Sequence, residues 1–136
     1  MATQNTQYGM TTTVDLTYEL AMERTKEALT AEGFGVLSEI DIRATLRKKL
    51  DVDSRPYTIL GACNPPLAHQ AFNVEPNIGL LLPCNVVVYA TDEAGRSIVA
   101  AIDPEVSLGR VGNDALAPLA AEVKARLERV LDAVAG

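Results

Sequence analysis

The sequence predicts an α+β domain of two layers, one mixed sheet of about five strands with helices packed on it. Three observations carry that expectation. Helix-period apolar stripes with cap residues alternate along the chain with short β-branched runs. Two of those runs, residues 86–91 and 96–102, flank Asp92-Glu93-Ala94-Gly95, a hairpin turn that demands one antiparallel pair. The 136 residues are 48% hydrophobic and 22% charged, which suits one globular domain needing no disulfide or metal to fold.

The elements follow in order. Residues 1–7 are polar and read as a disordered tail, leaving 8–136 as a single domain. Residues 8–15 are Thr-rich and read as a strand. Thr17 caps a helix over 18–32, with Leu20, Ala21, Ala28 and Leu29 on one face, and Gly33 stops it by taking positive φ. Residues 34–40 alternate, with Phe34, Val36 and Ile40 expected on one face. Asp41 caps a short helix whose Ile42, Leu46 and Leu50 lie four apart. The opposite face, Arg43, Arg47, Lys48 and Lys49, is either an anion patch or an ordinary solvated surface.

After a polar turn at 51–56, residues 57–63 form a β-prone apolar run and read as a central strand. Asn64 is a preferred N-cap and Pro65 a preferred first helical residue, so a helix starts there. It is expected to bury Leu67, Ala68, Ala71 and Phe72 and to end before Pro76. Residues 78–83 are apolar and match no element. The stretch 103–112 reads as a loop. In the last segment Leu116, Val123 and Val130 repeat every seven residues, as do Ala120, Leu127 and Val134. That stripe packs on the domain's own sheet or forms a dimer seam. Pro118 places the start of the regular helix near itself.

Charge and composition narrow the function. The formal net charge is −6, so a nucleic-acid backbone is repelled on average and nucleic acid is not an expected partner. The N-terminal residues have no apolar core of a signal peptide, and the longest apolar runs are too short to span a bilayer. The chain is expected in the cytoplasm, off the membrane, with its two cysteines reduced.

The candidate site is a pair of Cys-Asn dipeptides, Cys63-Asn64 and Cys84-Asn85, with the single histidine, His69, between them. Cys63 precedes a helix start, where free backbone N–H groups and the macrodipole favour a thiolate or a bound anion. Cys84 lies between apolar runs, where burial raises a thiol pKa. His69 lies in the first turns of the helix capped by Asn64 and could approach that cap. Cys63, His69 and Cys84 are soft ligands, but no C-x-x-C or close Cys/His pair is present, so no metal set is assigned. The two cysteines meet only if their strands are antiparallel neighbours. Parallel strands would hold them roughly 20 Å apart.

Four segments resemble those of the domain-of-unknown-function family 302: Gly33-Phe34-Gly35-Val36, Ile59-Leu60-Gly61-Ala62-Cys63-Asn64-Pro65, Leu67-Ala68-His69, and Gly79-Leu80-Leu81-Leu82-Pro83-Cys84-Asn85-Val86. The likeness runs from about residue 14 to residue 130. It implies a small two-layer fold that pairs as a homodimer, and it supplies no activity, cofactor or catalytic residue. The expected function is binding of a small ligand, an anion or a soft metal, near Cys63, Asn64, His69, Cys84 and Asn85, in a domain that is non-catalytic or of undetermined activity. The alternatives are a thiol enzyme or carrier using Cys63 for sulfur transfer or redox sensing, and a purely structural or interaction module.

Overall fold

A computed structural model describes residues 3–136. The strands are β1 (Gln4–Asn5), β2 (Gly9–Val14), β3 (Gly35–Asp41), β4 (Tyr57–Cys63), β5 (Cys84–Ala90) and β6 (Ser97–Ile102). The helices are α1 (Tyr18–Ala31), α2 (Ile42–Leu50), α3 (Pro65–Val74), α4 (Pro104–Gly109) and α5 (Ala117–Ala135), with 3-10 turns at Pro76–Leu81 and Asp114–Leu116. Of the segment read as a tail, Met1 and Ala2 lie outside the described residues. Gln4 and Asn5 pair with Thr11 and Met10.

The six strands form one open sheet in the order β1-β2-β6-β5-β4-β3. Every pairing is antiparallel, so the expected mixed sheet is corrected. A parallel neighbour needs a crossover over the sheet face. The connection from β4 to β5 makes none: α3 and its 3-10 turn pack at the end where β4 leaves the sheet, and β5 re-enters there. α1 does cross the face, but it joins β2 and β3, which lie at distant places in the sheet.

One sheet face forms the core. Met10, Leu60, Val86, Val88 and Val99 lie against Leu29 of α1 and Leu127 and Leu131 of α5, all at 1% exposure or less. α5 fulfils its heptad pattern by burying Ala120, Val123, Leu127, Val130 and Val134. The stripe therefore packs on its own sheet. A second cluster gathers Ala71, Ile78, Leu108, Leu116 and Ala120 where α3, α4 and α5 meet. Leu108 belongs to α4, a helix within the stretch expected to be loop. Asp103 caps α4 through Glu105 N–H at 2.9 Å and is held by Lys124 at 3.0 Å.

Two side-chain placements depart from the helix and strand patterns. Leu20 is 42% exposed, because α1 turns Ala21, Thr25, Ala28 and Leu29 inward instead. Ile40 faces away from Val36 because the β3–β4 register jumps between Val36 and Ser38. Leu37 is the extra residue of a bulge, and one inserted residue reverses the alternation beyond it.

Candidate functional site

The antiparallel pairing of β4 and β5 brings the two Cys-Asn dipeptides together. Cys84 is directly opposite Ala62, and Asn85 opposite Gly61. Cys63, one residue further along β4, pairs with Gly35 on its other side. The segments that carry the family resemblance thus converge on one end of the sheet. Gly61 is required by this crowding: a Cβ there would lie 2.2 Å from Ser38 Oγ and 2.9 Å from Pro83 Cγ. Gly33 is favoured by its backbone and sits close to two side chains. Its φ is +84°, and a Cβ would lie 3.1 Å from the Asn64 amide nitrogen and 3.2 Å from Arg126 Nη1. Arg126 Nη1 donates to the Glu32 carbonyl at 2.8 Å, tying α5 to the end of α1.

Asn64 caps α3 as expected. Its side-chain oxygen accepts from Leu67 N–H at 3.3 Å, and its carbonyl accepts from Ala68 N–H at 2.9 Å. This arrangement removes the physical basis for an anion site at the helix start. Pro65 and Pro66 occupy the first two helical positions and have no N–H, and the next two N–H groups are taken. The start of α3 therefore has no free donor to offer an anion.

What the end of the sheet does contain is a cavity of about 270 Å³ between β4, β5, α3 and α5. Ala62, Leu67, Ala71, Leu82 and Val123 line its walls, with both thiols, and Leu37 and Phe72 stand at its solvent side, 68% and 44% exposed. Asn64, its own oxygen committed to the cap, is the one polar side chain in the lining, and no charged residue takes part. An apolar cavity of about 150 Å³ already takes up benzene or xenon. Phe72 was expected in the core, yet it is part-exposed at this opening, while Ala71 beside it on α3 is the residue that is buried.

The cysteines are unequal. Cys84 is buried and Cys63 half-buried, and both are free thiols. Burial, and then the nearby Cys63, push the Cys84 thiol up to about 11. Cys84 stays protonated at neutral pH and behaves as a small apolar wall residue. By the pleat's alternation the two side chains leave neighbouring strands on opposite faces, though both contribute to the cavity wall.

The remaining candidates lie elsewhere. His69 is exposed on α3, and Asn85 is exposed on the sheet face opposite the core. Neither lines the cavity. Among the described residues no three His, Cys, Asp or Glu side chains are grouped to hold a metal ion. Sequence reasoning missed Phe34, Leu37, Leu108 and Leu119 as cavity residues. Gly33 and Gly35 around Phe34 were the available signal for the first. Nothing local marked the others, since they reach the cavity through a bulge, a short helix and the approach of α5.

The fold and site define a class: a small α+β domain with an open antiparallel sheet and an apolar, thiol-walled cavity at the Cys-Asn end. The profile of the Domain of unknown function DUF302 matches residues 10–134. The chain belongs to the DUF302 family. It is similar to the uncharacterized conserved protein DUF302 from Bacillus stearothermophilus, known from a crystal structure. The two are 32% identical with a TM-score of 0.86, over 94% of this chain and 98% of that one. No curated protein matches the chain. No helix of the described residues is long and apolar enough to cross a membrane.

Proposed function

We propose that this domain is a binding module for a small, neutral, apolar molecule held in the cavity between β4, β5, α3 and α5, and that it works as a homodimer. The observation that carries the ligand reading is the cavity itself: about 270 Å³, with no charged side chain in its lining. A charged ligand entering it would lose its hydration and find no partner. An apolar one would shed water on both surfaces. The ligand expected from the sequence, an anion or soft metal, is thus replaced by an apolar one. Cys63, Asn64 and Cys84 form part of the proposed wall, and His69 and Asn85 have no role in it.

The test is a titration with N-phenyl-1-naphthylamine, a neutral apolar fluorophore. The expected result is saturable enhancement at one probe per chain, lost in Ala68→Phe, whose side chain would fill the cavity, while its far-UV circular dichroism stays native. Absence of saturable binding to the wild type, or equal binding by a folded Ala68→Phe, would overturn the reading.

A further inference from the structure

Asn64 has one end without a partner. Its backbone is extended, with φ −98° and ψ 102°, so its side chain continues the alternation of the buried Leu60 and Ala62 and points to the side of β4 that holds the cavity. The residue is 7% exposed. Its side-chain oxygen accepts from Leu67 N–H, which turns that end of the planar carboxamide toward α3 and the nitrogen away from it. The nitrogen lies on the Gly33 side, 3.1 Å from where a Cβ of residue 33 would stand. Arg126 Nη1, on the same side, is itself a donor. Among the described residues no acceptor takes a hydrogen bond from the Asn64 nitrogen.

A carboxamide carries two N–H donors, and leaving such donors unmade inside a protein costs free energy. The nitrogen is nevertheless not sealed in. Among the described residues the side-chain atoms that are both shut off from water and unpaired are Thr25 Oγ1 and Ser54 Oγ, and Asn64 Nδ2 is not one of them. Asn64 thus combines an unpaired donor, a nearly buried side chain and a place in the cavity wall.

We infer that the Asn64 carboxamide nitrogen donates a hydrogen bond to the ligand, and that the ligand is an apolar molecule bearing a single carbonyl. The inference rests on the cavity reading above and names its ligand class. The chemistry of the lining selects the group. A ligand hydroxyl would bring a proton of its own, and the Asn64 oxygen already accepts from Leu67 N–H. A carboxylate would bring a charge into a lining with no charged side chain. The thiols of Cys63 and Cys84 are weak donors. A carbonyl accepts without donating, so one N–H of Asn64 satisfies it and the rest of the molecule stays apolar. The volume sets the size. At about 270 Å³ the cavity exceeds the roughly 150 Å³ that takes up benzene, which leaves room for one ring with a short carbonyl-bearing branch.

The experiment is a titration of isotope-labelled protein with acetophenone and with cumene, which has a methyl group where acetophenone has its carbonyl oxygen, followed by proton–nitrogen correlation NMR. Both compounds are expected to shift the backbone amides of Ala62 and Leu67 at the cavity wall. Only acetophenone is expected to move an Asn64 Nδ2 proton downfield. Asn64→Asp keeps an oxygen for the Leu67 N–H and has no donor, so in it the affinity for acetophenone relative to cumene should fall at least about fivefold. If Asn64→Asp does not fold, Asn64→Ser, also a preferred N-cap, takes its place with the same expected fall. Binding of neither compound to the wild type would defeat the cavity reading itself. Binding of both with the Asn64 side-chain resonances unmoved by acetophenone, or with the relative affinity unchanged in a folded variant, would defeat only this inference.

Discussion

Strands β4 and β5 carry two regions of similar composition that are filled very differently. In their middle, Leu60, Val86 and Val88 are wholly buried beneath Leu29, Leu127 and Leu131. Two residues further along the same strands, Ala62, Cys63 and Cys84 border about 270 Å³ of unfilled space. The difference lies in which helix covers each region. α1 and α5 are long and lie across the sheet. α3 is ten residues, begins with two prolines, and sits at the strand ends. The middle of the sheet is thus filled, and the Cys-Asn end borders open space. Protein interiors are ordinarily close-packed, so a hollow beside a full core is the observation on which the proposed binding role rests.

The sharpest way to break this comparison is to empty the core. Leu127→Ala is expected to cost about 2–5 kcal/mol, measured by urea unfolding, because Leu127 is fully buried within the main core cluster. A loss below about 1 kcal/mol would mean that the core is no better filled than the cavity.

The next effect concerns Cys84. Its folded pKa of about 11 exceeds its ordinary 9.0, so the folded state holds the proton more tightly than the unfolded one. The neutral thiol's contribution is complete below about pH 9 and is lost as pH rises toward 11. Over that window the wild type should lose about 2–3 kcal/mol more than Cys84→Ala. Parallel unfolding curves for the two proteins from pH 8 to 11 would show that Cys84 is not shielded.

The smallest effect should come from the loose end itself. Asn64→Ala removes the α3 cap and is expected to cost about 1 kcal/mol, read as a lowered midpoint in urea. A cost equal to that of Leu127→Ala would place the two regions on the same footing.

Much of this was legible in the sequence. Caps at Thr17, Asp41 and Asn64, the hairpin at 92–95 and the α5 heptads all correspond to local signals, and each takes its expected place. The two Cys-Asn dipeptides were legible as one feature. Their proximity was not, because it depends on β4 and β5 being antiparallel neighbours. The bulge at Leu37 was illegible for a related reason: it appears only when β3 is set against β4. The consequence of Pro65-Pro66 was present in the sequence all along, since two prolines at a helix start leave fewer N–H groups for an anion. The cavity was out of reach, because it is defined by an absence of atoms between elements distant in the chain.

The most direct test of the central claim is a crystal structure of the protein under xenon pressure, since xenon enters dry apolar cavities. The account predicts a xenon site between Ala62, Leu67 and Leu82, with the surrounding side chains unmoved. Finding no xenon there, with Phe72 or Leu81 folded into the space instead, would contradict it.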